Sequence, residues 1–303
     1  MPNLAVEFAG IKAKNPVFTA SGTCGFGREL NEIFPIEKLG GMMLKGTTLQ
    51  PRLGNPTPRV AEAPSGVINC VGLQNPGLQN VLTEQLPWVL QHDLAILQNI
   101  AGSEPAEYAE MAAALDKVPG LAGLEVNISC PNVKAGGMAH GSAPKLAAAV
   151  VSAVRESTKL PVVVKLTPNV TDVSEIARAV EAAGADAVSL VNTFLAMVID
   201  VKRRRPLLGN VMGGLSGPAI RPIAVRMVWQ VAQSVKIPVI GMGGIETGED
   251  ALQFIMAGAS AVAVAAATMI NPLAPLRIIE EMDAWLETEG VADINELIGA
   301  ALP

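Results

Sequence analysis

Short apolar runs recur along this chain with helical patterns between them, and that alternation restricts the fold more than any other feature. Eight runs read as strands, at 17–20, 42–45, 95–99, 124–128, 162–166, 187–191, 239–242 and 261–264. The clearest helix follows the fifth run. Asp172 or Ser174 offers an N-cap, Val173, Ile176, Ala177, Val180 and Ala183 fall on one face, and Gly184 stops it. Half of the residues are hydrophobic and only 3% are aromatic, so Ala, Val, Leu, Ile and Met must fill the core, as suits a buried parallel sheet. Strand, helix and strand in this order predict an α/β fold, and eight such units close into a TIM (β/α)8 barrel. An open doubly wound sheet is the structural rival. No linker or low-complexity stretch divides the chain, so residues 1–303 are expected to form a single domain.

Polar residues gather where the apolar runs end: Ser21-Gly22, Lys45-Gly46, Asn99, Asn127 to Asn132, Lys165, Asn192-Thr193 and Gly243-Gly244. In a barrel these ends share one rim, the face that carries chemistry. One such residue is ordinary turn chemistry, but recurrence at nearly every strand is not. The longest irregular stretch, 50–77, is rich in Pro, Gly and Asn and is expected to fold over that rim.

The formal charge of −6 argues against a chain that holds nucleic acid, and the basic run at 202–205 is too short to reverse this. Three scattered cysteines, Cys24, Cys70 and Cys130, point to a reducing, cytoplasmic setting and cannot supply a four-thiolate cluster. No apolar signal segment opens the sequence. The uncharged stretch 251–276 is broken by Gly258, Asn271, Pro272 and Pro275, so no membrane span is expected. Two histidines without HExxH or clustered carboxylates make a catalytic metal unexpected.

The string Asn127-Ile-Ser-Cys-Pro-Asn132 puts a thiol, Cys130, just past the fourth strand. Position alone leaves two readings open, a reactive thiol and an inert packed one. Gly243-Gly244 precedes a helix opening at 246–250, whose backbone N–H groups suit a phosphate, with the loop after the eighth strand completing the site. Lys45 and Lys165 end two apolar strands, where each must snorkel or meet an anion. Nothing among these groups performs redox chemistry unaided, so a hydride acceptor would have to be a cofactor.

Taken in order, Leu44-Lys-Gly-Thr-Thr48, Asn69-Cys-Val-Gly-Leu-Gln-Asn-Pro76, Asn127-Ile-Ser-Cys-Pro-Asn132 and Gly213-Gly-Leu-Ser-Gly-Pro218 make the chain resemble the dihydroorotate dehydrogenases over essentially its whole length. Cysteine rather than serine at position 130 resembles the soluble class 1 enzymes. Cys24-Gly-Phe-Gly27, the stretch from Pro51 to Arg59 and Ile240-Gly-Met-Gly-Gly244 resemble class 1B, the NAD-linked catalytic subunit, more than the fumarate-dependent class 1A.

The resemblance implies FMN-dependent oxidation of (S)-dihydroorotate to orotate in pyrimidine synthesis, with Cys130 as catalytic base. It implies FMN contacts from Ser21, Lys45, Gly46, Asn99, Asn127, Lys165, Val191, Gly217, Gly243 and Gly244, and from Ala265 and Ala266. At those last two positions this chain departs from the family's usual Gly-Thr, so a hydroxyl donor to the phosphate is missing. Dihydroorotate would be held by Lys45, Asn127, Asn192 and Thr193 and by the run Asn69, Cys70, Val71, Gly72 and Leu73, in which Cys70 reads as packing. A partner subunit carrying FAD and a [2Fe–2S] cluster is implied, in a heterotetramer built on a homodimer of this chain.

Overall fold

The computed structural model describes residues 2–128 and 141–303; Cys130 and His140 lie outside them. Eight parallel strands close into a barrel in which every strand pairs with the next in sequence and the last with the first. They are β1 (Val17–Thr19), β2 (Gly41–Met43), β3 (Ala95–Ile100), β4 (Gly123–Asn127), β5 (Val162–Lys165), β6 (Ala187–Leu190), β7 (Val239–Met242) and β8 (Ala259–Val264). Each falls on one of the eight expected runs, with ends that coincide or differ by at most two residues. A closed parallel ring excludes the doubly wound alternative.

All eight strands are buried along almost their entire length because helices cover the ring. The main ones are α1 (Pro105–Leu115), α2 (Pro144–Ser157), α3 (Val173–Ala182), α4 (Arg221–Ala232), α5 (Gly248–Met256) and α6 (Ala274–Glu289). Helix α3 begins as its sequence predicts: the Asp172 carboxylate accepts from the Ser174 amide at 2.8 Å, a cap worth about 1 kcal/mol. It ends at Gly184, whose φ of +99° turns the chain into β6. The stretch 251–276 divides between α5, β8, a short helix at Ala266–Ile270 and the start of α6, and among the described residues no helix is long and apolar enough to cross a membrane.

At the opposite end, an N-terminal hairpin of Val6–Phe8 and Ile11–Ala13 packs Phe8 edge-on against Phe18 of β1, with ring centroids 5.7 Å apart. His92 lies at that same end, bonded to the Glu37 carboxylate and remote from the rim.

One expectation needs correcting. The stretch 50–77 is not merely irregular: Val60–Ala63 and Gly66–Asn69 form a hairpin, which joins Gly213–Ser216 and Phe194–Ala196 in a four-stranded antiparallel sheet. That sheet roofs the C-terminal end of the barrel.

Candidate active site

The strand ends and the roof enclose a cavity. Every strand but β3 delivers residues to it as it leaves the ring. Ser21 follows β1, Lys45 follows β2, Asn127 ends β4 and Lys165 ends β5. Val191, Asn192 and Thr193 follow β6, Gly243 and Gly244 follow β7, and Ala265 follows β8. The roof adds Asn69, Val71, Gly72 and Leu73.

Five expected residues are not in the lining. Asn99 is fully buried beneath it in β3, and Gly46 lies against Asn99. Gly217 closes on the hairpin turn, where a Cβ would come 2.8 Å from the Gly66 Cα. Ala266 is buried in the short helix after β8. Cys70 is buried with Ile68 and Leu208 behind the roof, so packing accounts for it. The lining also includes residues not singled out from sequence, among them Val60, Val67, Ser216 and Met269.

Second contacts set the orientation of the polar groups. Tyr108 of α1, itself fully buried, donates its hydroxyl to the Asn127 carbonyl at 2.9 Å. Asn192 Nδ2 reaches Asn127 Oδ1 at 3.5 Å, and Asn169 Nδ2 donates to the Thr193 carbonyl at 3.1 Å. Asn69 Nδ2 donates to the Gly214 carbonyl at 3.3 Å, pinning the roof's middle strands across the mouth.

Beneath the cavity lies a charged layer that was not anticipated. Lys165, only 5% exposed, donates from Nζ to Ser21 Oγ at 3.1 Å and sits 3.6 Å from the Glu125 carboxylate of β4. Sequence held a signal for this acid: strand side chains alternate faces, so Glu125 and Asn127 point the same way, and a carboxylate inside an apolar run needs partners.

Cys24 lies close by, accepting from the Thr19 hydroxyl at 3.2 Å. Burial pushes its thiol up to about 11, against the opposing pull of Thr19, Lys45 and Lys165. It is therefore a neutral thiol at physiological pH and unsuited to proton abstraction there.

The turn after β7 corrects the phosphate expectation in part. In α5, Gly248 N donates to Glu281 at 2.6 Å and Asp250 N to the Thr247 hydroxyl at 3.2 Å. The Asp250 carboxylate in turn accepts from the amides of Glu246 and Thr247 and pairs with Arg221 at 2.6 Å. The opening of the helix is thus satisfied by protein groups, and what faces the cavity is the Gly243-Gly244 turn together with Ala265.

Two features fit a planar, polar-edged ligand with an anionic tail. Asn99 Oδ1 is buried with no hydrogen-bond partner, and a Cβ on Gly46 would come within 2.7 Å of it, so glycine leaves its approach clear. At the far side, two adjacent positive-φ glycines, Gly243 and Gly244, expose backbone where a phosphate could approach.

A protein-family model described as dihydroorotate dehydrogenase matches residues 3–286. A relative from Desulforudis audaxviator, named dihydroorotate dehydrogenase B (NAD(+)), catalytic subunit, is 58% identical over 98% of this chain and 97% of its own. One of the same name from Geotalea uraniireducens is 54% identical over 99% of both chains. A crystal structure of DHODH in complex with ferulenol from Eimeria tenella superposes with a TM-score of 0.84 at 24% identity, over all of this chain and 90% of that one, a likeness of fold.

Proposed function

This chain belongs to the dihydroorotate dehydrogenase family, and from that premise we propose that it oxidises dihydroorotate to orotate with FMN held in the barrel mouth. The observation that carries the reading is the layered floor of the cavity, where the Lys45 and Lys165 strand ends meet the amides of Asn127 and Asn192 below the roof.

The reaction removes a proton from C5 and a hydride from C6 of dihydroorotate, leaving the ring double bond of orotate. FMN, when bound, supplies the hydride acceptor. Ser21, Lys45, Asn99, Asn127 and Lys165 would hold its ring, and Gly243, Gly244 and Ala265 its phosphate. Ala265 and Ala266 offer no hydroxyl, so that end relies on backbone N–H groups. Lys165 places a cation at the floor, which favours a ligand that gains negative charge. Asn69, Asn127, Asn192 and Thr193 would orient the substrate's carboxylate and ring amides, while the roof excludes water. Cys130 would take the C5 proton; it follows Asn127 by three positions and lies outside the described residues.

The NAD-linked form is supported by the relatives' names. It would pair this chain with an FAD and [2Fe–2S] subunit, in a heterotetramer on a homodimer of this chain. Flavin spectroscopy of the purified chain, followed by dihydroorotate with an oxidised dye, tests the reading. A yellow protein that reduces the dye is expected; a colourless one that takes up no FMN on titration would overturn it.

A further inference from the structure

Glu125 is fully buried in the middle of the barrel and meets three donors from three other strands. Its Oε2 accepts from Asn99 Nδ2 of β3 at 2.5 Å, its Oε1 accepts from Ser189 Oγ of β6 at 2.9 Å, and Lys165 Nζ of β5 lies 3.6 Å from Oε1. The barrel register brings them together, since Glu125 stands opposite Asn99 and Ser189 opposite Lys165. A buried ion pair is rarely a stabilising choice, because apolar side chains of similar volume fill a core at least as well. This one therefore calls for a task that an apolar side chain cannot perform.

We infer that Glu125 is a positioning residue that sets the hydrogen-bond polarity and charge of the pocket floor. A carboxylate only accepts. Asn99 must then turn its amide NH2 toward Glu125, which leaves Oδ1 as the buried acceptor without a partner. Asn99 Nδ2 and Lys165 Nζ also both donate to Ser21 Oγ, at 3.0 and 3.1 Å. Both lone pairs of that hydroxyl are then occupied, so its own proton points out of the network, and Ser21 lines the cavity. One carboxylate thus fixes an acceptor at Asn99, a donor at Ser21 and a cation at Lys165. That pattern suits a ring edge in which an N–H is flanked by carbonyl oxygens, as in the dioxopyrimidine ring of a flavin. The inference rests on the FMN reading above.

Glu125→Gln keeps the shape, removes the charge and introduces a donor that allows Asn99 to rotate and exchange acceptor for donor. FMN titration of the variant's apo form should show affinity at least tenfold weaker than wild type. Its reduced flavin should be favoured over the oxidised form by about tenfold, because Lys165 is no longer neutralised; for a two-electron couple that is a potential about 30 mV higher. In a Lys165→Met background, adding Glu125→Gln should move the potential by less, since much of the effect of Glu125 on the charge of the floor runs through that lysine. Should Glu125→Gln not fold, Glu125→Asp, which retracts the carboxylate, should weaken FMN binding and move the potential the same way by less. Wild-type affinity and potential in the folded variant overturn the role of Glu125 alone, as does an equal shift in the Lys165→Met background. A wild-type chain that binds no FMN overturns the flavin reading and this inference with it.

Discussion

The carbonyl oxygen of Gly217 lies 2.7 Å from the point that a β-carbon on Gly244 would occupy, with the Arg221 Cβ at 2.8 Å from the same point. The turn after β7 is therefore wedged between the end of the roof and the start of α4, at a φ of +77° that favours glycine.

Gly244→Ala should accordingly lose about 1–3 kcal/mol of stability, the scale of a non-glycine residue forced into such backbone against a close contact. It should also bind FMN at least tenfold more weakly. Thermal denaturation and flavin titration check the two effects separately, and unchanged FMN affinity would detach this turn from the phosphate.

Cys130→Ala should retain FMN but slow bleaching of the flavin by dihydroorotate about a hundredfold or more at neutral pH, the effect of a lost general base. In the wild type the rate should climb on the alkaline side, since an ordinary thiol ionises near about pH 8.5. Stopped-flow traces that bleach almost normally in the variant would move the base elsewhere.

Cys24 gives a pH prediction of its own. Its thiol ionises at an ordinary 9.0 when unfolded and at about 11 when folded, so the unfolded chain loses that proton first. Its stabilising contribution is complete below pH 9 and is lost as pH rises toward 11, a change of about 2–3 kcal/mol. Urea denaturation across that range should fall less steeply in Cys24→Ala than in wild type. Parallel curves would show that burial of this thiol does not couple to folding.

The barrel was legible in the sequence because its strands are buried on both faces, so each reads as an unbroken apolar run. Lys45, Asn127 and Lys165 were legible for a related reason: each is a polar residue at the end of such a run. The roof was not. Its strands are three or four residues long and partly exposed, carry glycines such as Gly213 and Gly214, and pair across about half of the chain, so no local pattern marks them. Glu125 escaped notice because its partners Asn99, Lys165 and Ser189 converge only through the register of neighbouring strands.

This chain alone should not reduce NAD⁺ efficiently. No GxGxxG follows a strand and opens a helix, and three cysteines cannot ligate an iron–sulfur centre, so the proposed FMN would be the one redox group expected in this chain. An assay with dihydroorotate and NAD⁺ should yield little NADH until an FAD and iron–sulfur subunit is added. Robust NADH formation by the isolated chain would contradict this, and rapid turnover with fumarate would favour the class 1A alternative.

The roof joins Val67 to Ser216, residues 149 positions apart, whereas all but one of the ring's strand pairs are consecutive in sequence. Long loops close late and at greater entropic cost, so the ring can form while the mouth is still open. The hairpin at 60–69 and the segment 194–216 also share one ladder, so a shift of register in either would unpair the other and open the mouth.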